Sequence, residues 1–311
     1  MILAPMQGLT EVLFRRVFYR HFAGLFNYAV APFVSLTHGN LADATKKIDD
    51  LLPDANRDSM PVVPQILGKE PTEFVELANR LCDLGYTEIN WNLGCPMRKV
   101  AAKHRGSGML PYPDELRHVL DQVVPAIRVS LSIKMRLGLT NRDEIFALVP
   151  ILNDYPIANV TIHPRIGRQQ YTGHVDLETF ARVKPLLKHS VIYNGDITTL
   201  EEYKTIVGRF TDLFDVMIGR GILYDPTLPL QIKQNRKFSA EEKKLSTTTF
   251  IADLINEIDR RLPTDEAKLR KTKEYWCLIS RSLPITEQQA RSVLHATTLA
   301  ETQQLIFNFI Q

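Results

Sequence analysis

Cys95 sits in the segment Asn92-Leu93-Gly94-Cys95-Pro96, directly after the apolar run Glu88-Ile89-Asn90-Trp91. That pattern predicts a thiol at the tip of a buried strand. Most free cysteines are small apolar fillers, so a lone thiol carries no chemistry by itself. The next stretch of chain, from Met97 to Gly108, is unusual: it holds Arg98, Lys99, Lys103 and Arg105 and no acidic residue. A thiol at the root of a mobile basic loop is placed to meet an anionic substrate.

Other chemistry-bearing residues recur at the ends of similar runs. In chain order they are Met6 and Gln7, Gln65, Asn92 with Cys95, Lys134 with Arg136, and His163 with Arg165. Asn194-Gly195-Asp196 and Gly219-Arg220-Gly221 complete the set. Glycines after late strands let backbone N–H groups approach a phosphate, and Arg220 adds charge. Lys134 has two chemical uses at such a site. It can form a Schiff base, or it can oppose negative charge on a bound cofactor ring. A phosphate site flanked by Gln65 and His163 points to a phosphorylated aromatic cofactor, with flavin mononucleotide (FMN) the leading candidate.

The elements that would position these groups are legible in the same runs. Eight apolar or β-branched stretches predict strands: residues 2–5, 28–32, 62–67, 88–92, 131–135, 159–163, 190–194 and 215–219. Between most of them lie helix-period segments. In residues 71–82, Phe74, Leu77, Ala78 and Leu81 fall on one helical face. Residues 114–124 and 200–207 read the same way. Eight alternating units predict a closed (β/α)8 TIM barrel, with a doubly wound open sheet as the alternative. No Gly-x-Gly-x-x-Gly follows an early strand, which weakens the dinucleotide-binding form of that alternative. Past about residue 236 the alternation stops. Residues 241–262, 267–283 and 286–309 read as helices, giving a catalytic barrel over 1–235 and a small all-helical domain over 236–311.

Composition sets the outer bounds. With 311 residues the chain can bury a large core, and its apolar and charged fractions are those of a globular protein. No apolar run approaches the roughly 18 residues of a membrane span. Three widely spaced cysteines, Cys82, Cys95 and Cys277, rule out neither a disulfide nor a shared metal site but support neither; the simplest reading is a reducing, cytoplasmic compartment, and no metal is expected. The net charge of +3 is compatible with a nucleic-acid partner but does not demand one.

The chain resembles the tRNA-dihydrouridine synthases over nearly its whole length. Seven segments in one order carry the resemblance. They are Ala4-Pro5-Met6-Gln7-Gly8, Gln65-Ile66-Leu67-Gly68, Asn92-Leu93-Gly94-Cys95-Pro96, and Lys134-Met135-Arg136-Leu137-Gly138. The others are His163-Pro164-Arg165 with Gln169, Tyr171 and Gly173, then Asn194-Gly195-Asp196-Ile197 and Met217-Ile218-Gly219-Arg220-Gly221. The stretch Leu269 to Trp276 resembles the family's helical RNA-binding domain more loosely. The resemblance implies FMN in the barrel, NADPH as reductant and tRNA as partner. Hydride would pass from flavin N5 to C6 of a flipped-out uridine, with Cys95 giving a proton to C5. Pro5, Met6 and Gln7 would line the flavin, and Gln65 and Lys134 would bond its ring edge. His163, Asn194, Gly195, Asp196, Gly219 and Arg220 would hold the ribityl chain and phosphate. Asn92 and Arg136 would meet the uridine. From their charge, Arg98, Lys99, Arg270, Lys271 and Lys273 are expected to grip RNA, with a solvated helix face as the alternative; Tyr275 and Trp276 could stack on RNA, but at helical spacing they read rather as packing residues.

Three other readings compete with this one. A small-molecule FMN oxidoreductase of the dihydroorotate dehydrogenase type would have no use for the basic loop and helical tail. An aldolase-type lyase would use Lys134 as its Schiff-base residue, and a non-catalytic RNA-binding protein would have no need of Cys95, Lys134 and His163. No obligate protein partner is evident, and a monomer is expected.

Overall fold

The computed structural model describes residues 1–36 and 48–310. Its sheet has nine strands, all parallel: β1 Ile2–Leu3, β2 Tyr28–Val30, β3 Val62–Val63, β4 Gln65–Ile66 and β5 Glu88–Leu93. The rest are β6 Ser130–Gly138, β7 Ile157–Ile166, β8 Ser190–Asn194 and β9 Asp215–Ile218. The order β3-β2-β1-β9-β8-β7-β6-β5-β4 begins and ends on neighbours in the chain. Pro64 alone separates β3 from β4. Its missing N–H interrupts the ladder, yet its carbonyl accepts from Asn90 N at 2.8 Å. On the other side, Val63 O and Gln65 O accept from Ala31 N and Val34 N. The nine strands therefore form the eight staves of a nearly closed barrel, as the alternation predicts.

Strand alternation divides the barrel interior. One half is apolar: Ile2, Ala4, Val30, Ile192 and Met217 form a buried cluster separate from the main core. The other half is polar. Register sets Gln65 beside Asn90 and Asn90 beside Ser132, and one layer higher Asn92 beside Lys134. Arg136 pairs with His163 above that. The main core lies between sheet and helices. Helix Pro71–Asp83, for example, buries the four apolar residues of its expected face. Strands β6 and β7 run several residues beyond their apolar runs, carrying Arg136 and Arg165 up into the barrel mouth.

The C-terminal region is helical, as expected. Helix Leu228–Gln234 stops at Asn235, which takes a left-handed conformation (φ 52°). Ser239 then caps helix Ala240–Arg261 with Glu242 in a reciprocal capping box. Helices Asp265–Ile279, Glu287–His295 and Leu299–Ile310 complete the region. No helix among the described residues is long and apolar enough to cross a membrane. The region docks on helix Val12–Phe22 through a cluster of rings. Phe250 meets Phe14 and Phe18 edge-on at 5.9 and 6.1 Å, and Tyr275 stacks on Phe14 at 5.8 Å. These residues belong to the same apolar cluster as the core beneath the barrel helices. Phe250→Ala should thus cost about 3–5 kcal/mol through loss of burial and cavity formation. Urea denaturation followed by far-ultraviolet circular dichroism checks this, and a loss below about 1 kcal/mol would contradict the packing account.

Candidate active site

The barrel mouth holds a cavity of about 440 Å³, within the range of small-molecule sites. Pro5, Met6, Gln7, Gln65, Asn92, Cys95, Lys134, Arg136, His163, Asn194, Gly195, Asp196, Gly219 and Arg220 all line it. Every barrel residue singled out as cofactor-facing or catalytic is thereby brought to one wall or another of a single space.

The turn carrying Cys95 is fixed by the residue that ends its strand. Asn92 Oδ1 accepts from Gly94 N (3.0 Å) and Cys95 N (2.8 Å). Backbone N–H groups can only donate, so this end of the carboxamide is its oxygen. Asn92 Nδ2 must then donate to Gln65 Oε1 (2.7 Å), and Gln65 Nε2 to Asn90 Oδ1 (2.7 Å). Asn90 Nδ2 donates to Ser132 Oγ (3.0 Å), which donates to Ile89 O (3.2 Å). The chain starts on obligate donors and ends on an obligate acceptor, so it runs in one direction. Asn90 and Ser132 escape a reading based on strand tips. The signal for them was alternation: both sit two residues before a site residue on the same strand face.

Cys95 is 9 % exposed. Burial pushes its thiol up from the ordinary value, outweighing the Met97 N–H and the charge of Arg136, which act the other way. The thiol is therefore protonated at neutral pH. The basic stretch after it is not an open loop. It folds as helix Arg98–Ala101 and a 3-10 turn, Gly106–Met109, buried beneath Cys95. Ser107 donates to Cys95 O through both N (3.1 Å) and Oγ (3.0 Å). Gly106 (φ +57°) passes so close that a Cβ there would lie 2.8 Å from Cys95 O. His104 bonds Glu115 at 2.8 Å and stacks on Tyr112. Arg98, Lys99 and Lys103 are left exposed on the outer side.

The same cavity gathers positive charge. Arg165 is buried and grips Asp196 with two nitrogens, at 2.8 and 2.5 Å. Arg220 shares the same carboxylate at 2.8 Å. Arg136 donates to Gly94 O and Ile166 O, both at 3.0 Å, and burial pushes its guanidinium down to about 10. Lys134 makes no hydrogen bond or ion pair among the described residues. Desolvation, reinforced by Arg136, pushes its ammonium down to about 7. His163 is held well below its ordinary value by burial and by all four of these cations. It is neutral. Because Arg165 Nη1 must donate to His163 Nε2 (3.1 Å), the imidazole proton lies on Nδ1. Arg165 was visible at a strand end, but its role as brace for Asp196 was not. Tyr171, 53 % exposed, lies over the mouth with the Arg220 and Arg136 guanidinium groups at 4.7 and 5.6 Å from its ring centre.

The C-terminal cations are placed differently. Arg270 is exposed. Lys271 bonds Gly8 O at 2.6 Å and Glu274 at 2.7 Å. Lys273 donates to Leu294 O at 2.9 Å and to Ala296 O, closing the end of helix Glu287–His295. Tyr275 and Trp276 are buried, bonding Leu9 O and Ala290 O. They are packing residues, as their spacing suggested. Among the described residues no group of acidic, histidine and cysteine side chains is arranged to hold a metal ion.

Four cations, of which two share the Asp196 carboxylate and one, Lys134, has no partner among the described residues, make a site suited to an anion. An FMN phosphate and an electron-rich flavin ring match this donor set. Gly195, Gly219 and Gly221 leave cavity wall without side chains.

Residues 2–306 match the family model described as dihydrouridine synthase. The tRNA-dihydrouridine synthase B of Pasteurella multocida is 32 % identical over 228 residues, covering 73 % of this chain and 66 % of that protein. A probable tRNA-dihydrouridine synthase of Rhodobacter capsulatus is 28 % identical and covers 96 % of this chain and 92 % of its own. The tRNA-dihydrouridine(16) synthase of Pseudomonas putida is 27 % identical, covering 91 % and 88 %. Among solved structures, the old yellow enzyme homologue of Zymomonas mobilis superposes with a TM-score of 0.55 at 13 % identity, over 77 % of this chain and 89 % of its own. That likeness concerns the barrel fold.

The free cationic excess has a measurable sign. Lys134 titrates near 7 in the folded protein and near 10.4 when unfolded. Between these values the unfolded chain binds more protons, so stability rises with pH across that window. Below about 7 the cost of burying the charge is fully present. Flavin-free Lys134→Met protein should therefore be more stable than the parent at pH 6.5, with the gain shrinking towards pH 10. Urea denaturation at several pH values reads this out; a pH-independent difference would contradict it.

Proposed function

The chain belongs to the dihydrouridine synthase family, whose members are flavin-dependent oxidoreductases, and we propose that it uses FMN and NADPH to reduce the C5–C6 double bond of one uridine in tRNA. The observation that carries this reading is that one cavity is lined by a protonated thiol, Cys95, and by a lysine, Lys134, with no partner among the described residues.

Lys134 and Gln65 would meet the polar edge of the flavin ring, with Pro5, Met6 and Gln7 as its wall. His163, Asn194, Gly195, Gly219 and Arg220 would hold the ribityl chain and phosphate. Asp196 would act as the brace that fixes Arg220. Bound FMN, once reduced, supplies the hydride.

The protein's own task is to place the base and move one proton. Asn92 has its oxygen saturated by two backbone N–H groups and one amide hydrogen committed to Gln65. Its remaining group is a donor. Arg136 likewise keeps its second terminal nitrogen free of partners among the described residues, and at neutral pH it is charged. Two donors match the two carbonyl oxygens of uracil. As C6 is reduced, electron density moves onto the C4 carbonyl, and groups that bond it more strongly then lower the barrier. The carbanion-like C5 must gain a proton. Cys95 Sγ–H supplies it as a general acid, and burial keeps that proton in place until it is needed. A uridine in folded RNA is stacked and must be drawn out of the helix to reach this depth.

The barrel over 1–235 would carry this chemistry and the helical region over 236–311 would orient the tRNA. Arg98, Lys99 and Arg270 are exposed and suited to phosphate contacts. Cys95→Ala tests the assignment. It should keep its flavin and its affinity for tRNA while dihydrouridine formation in an unmodified transcript falls by about 10²–10⁴-fold. Turnover within threefold or so of the parent would refute the acid role.

A further inference from the structure

The helix Asp265–Ile279 lies against the turn that succeeds β1. That turn is compact: Leu9 N and Thr10 N donate to Met6 O, and Thr10 Oγ1 accepts from Met6 N and donates to Ala4 O. Gly8 takes a φ of +78° at its tip. The turn aims the carbonyls of Gly8 and Leu9 outward, and the helix supplies a donor to each. Lys271 Nζ bonds Gly8 O and Tyr275 OH bonds Leu9 O, both at 2.6 Å. Tyr275 is buried, and its ring is held by Phe14. The inner side of the same turn is cavity wall, formed by Met6, Gln7 and Leu9. Met6 reaches across to Gly219, where a Cβ would lie 3.3 Å from its sulfur.

We infer that Lys271 and Tyr275 are positioning residues for the cofactor wall: they hold the Gly8–Leu9 turn so that Met6 and Gln7 close the FMN cavity. The inference rests on the FMN reading above. It also assigns Lys271 an internal role in place of RNA contact. Its ammonium is shared between Gly8 O and Glu274, and its side chain is 19 % exposed. Glu11, half-buried nearby with its carboxyl pushed up by desolvation, is steadied by the charge of the same lysine. The opposite side of the helix is tied to the last helices through Lys273 and Trp276. One helix thereby joins the cofactor wall to the region proposed to meet RNA.

The test uses purified holoenzyme and two readouts, neither of them turnover. The first is the rate of FMN release, read as recovery of free-flavin fluorescence on dilution, with visible circular dichroism of the bound flavin alongside. The second is the slope of tRNA affinity against salt. Lys271→Met and Tyr275→Phe should each release FMN about tenfold faster or more, the equivalent of one lost strong hydrogen bond, and alter the flavin's dichroism. Lys271→Arg keeps a donor and should restore the parental rate. The salt slope should stay parental in Lys271→Met, whereas Arg98→Ala should lower it by about one. Tyr275→Phe preserves ring packing, so it remains informative if Lys271→Met folds poorly. Parental FMN release in both variants would overturn the inference, as would a slope lowered by about one in Lys271→Met. A parent protein that binds no FMN would instead refute the flavin reading itself, and this inference with it.

Discussion

The barrel mouth concentrates positive charge that the described residues neutralise only in part. Lys134, Arg136, Arg165 and Arg220 all act on His163, while Asp196 is the carboxylate shared by two of them. Such an arrangement costs stability in the ligand-free protein, which is visible in the depressed ionisation of Lys134 and Arg136. A fold tolerates that cost where an anion is to be bound. Much else in the molecule depends on it. Neutral His163, the Arg165 brace and the extension of β6 and β7 beyond the barrel rim all serve to hold cations around one space.

Against this charge the structure sets a thiol that stays neutral. Two cations on the loop beside Cys95 would be expected to draw the proton off, but Arg98 and Lys99 point their charge into solvent and the thiol is buried. Burial wins, and the rest of the segment packs closely on Cys95 through Gly106 and Ser107. The amide chain from Ser132 through Asn90 and Gln65 to Asn92 fixes the same turn from inside the barrel. Acid and cation wall thus meet at one layer of the sheet, where Asn92 stands beside Lys134.

Much of this was legible in the sequence. The eight strands, the change to helices near residue 236 and the barrel residues of the site emerge from apolar runs and the polar residues that end them. Those residues met in one cavity because parallel strands of a barrel all deliver their C-terminal ends to one face. What failed to show were properties of contact rather than pattern. The basic stretch after Cys95 read as a mobile loop because its composition is polar, yet Gly106, Ser107 and His104 anchor it. Lys271 and Lys273 read as RNA contacts because they are basic and clustered. Their ammonium groups instead meet carbonyls far away in sequence, at Gly8, Leu294 and Ala296. Arg165 and Asp196 are plain in the sequence, but their pairing is a fact of geometry. Pro64, which splits one expected strand into two, marks the place where the barrel closes.

The most direct test of the account is the visible spectrum of the purified protein, supplied with FMN and kept free of oxygen, as NADPH and then unmodified tRNA are added. The account predicts flavin absorbance that NADPH bleaches and that tRNA restores, with dihydrouridine appearing in the RNA. A protein that takes up no FMN, or a bleached flavin that tRNA leaves bleached, would contradict it.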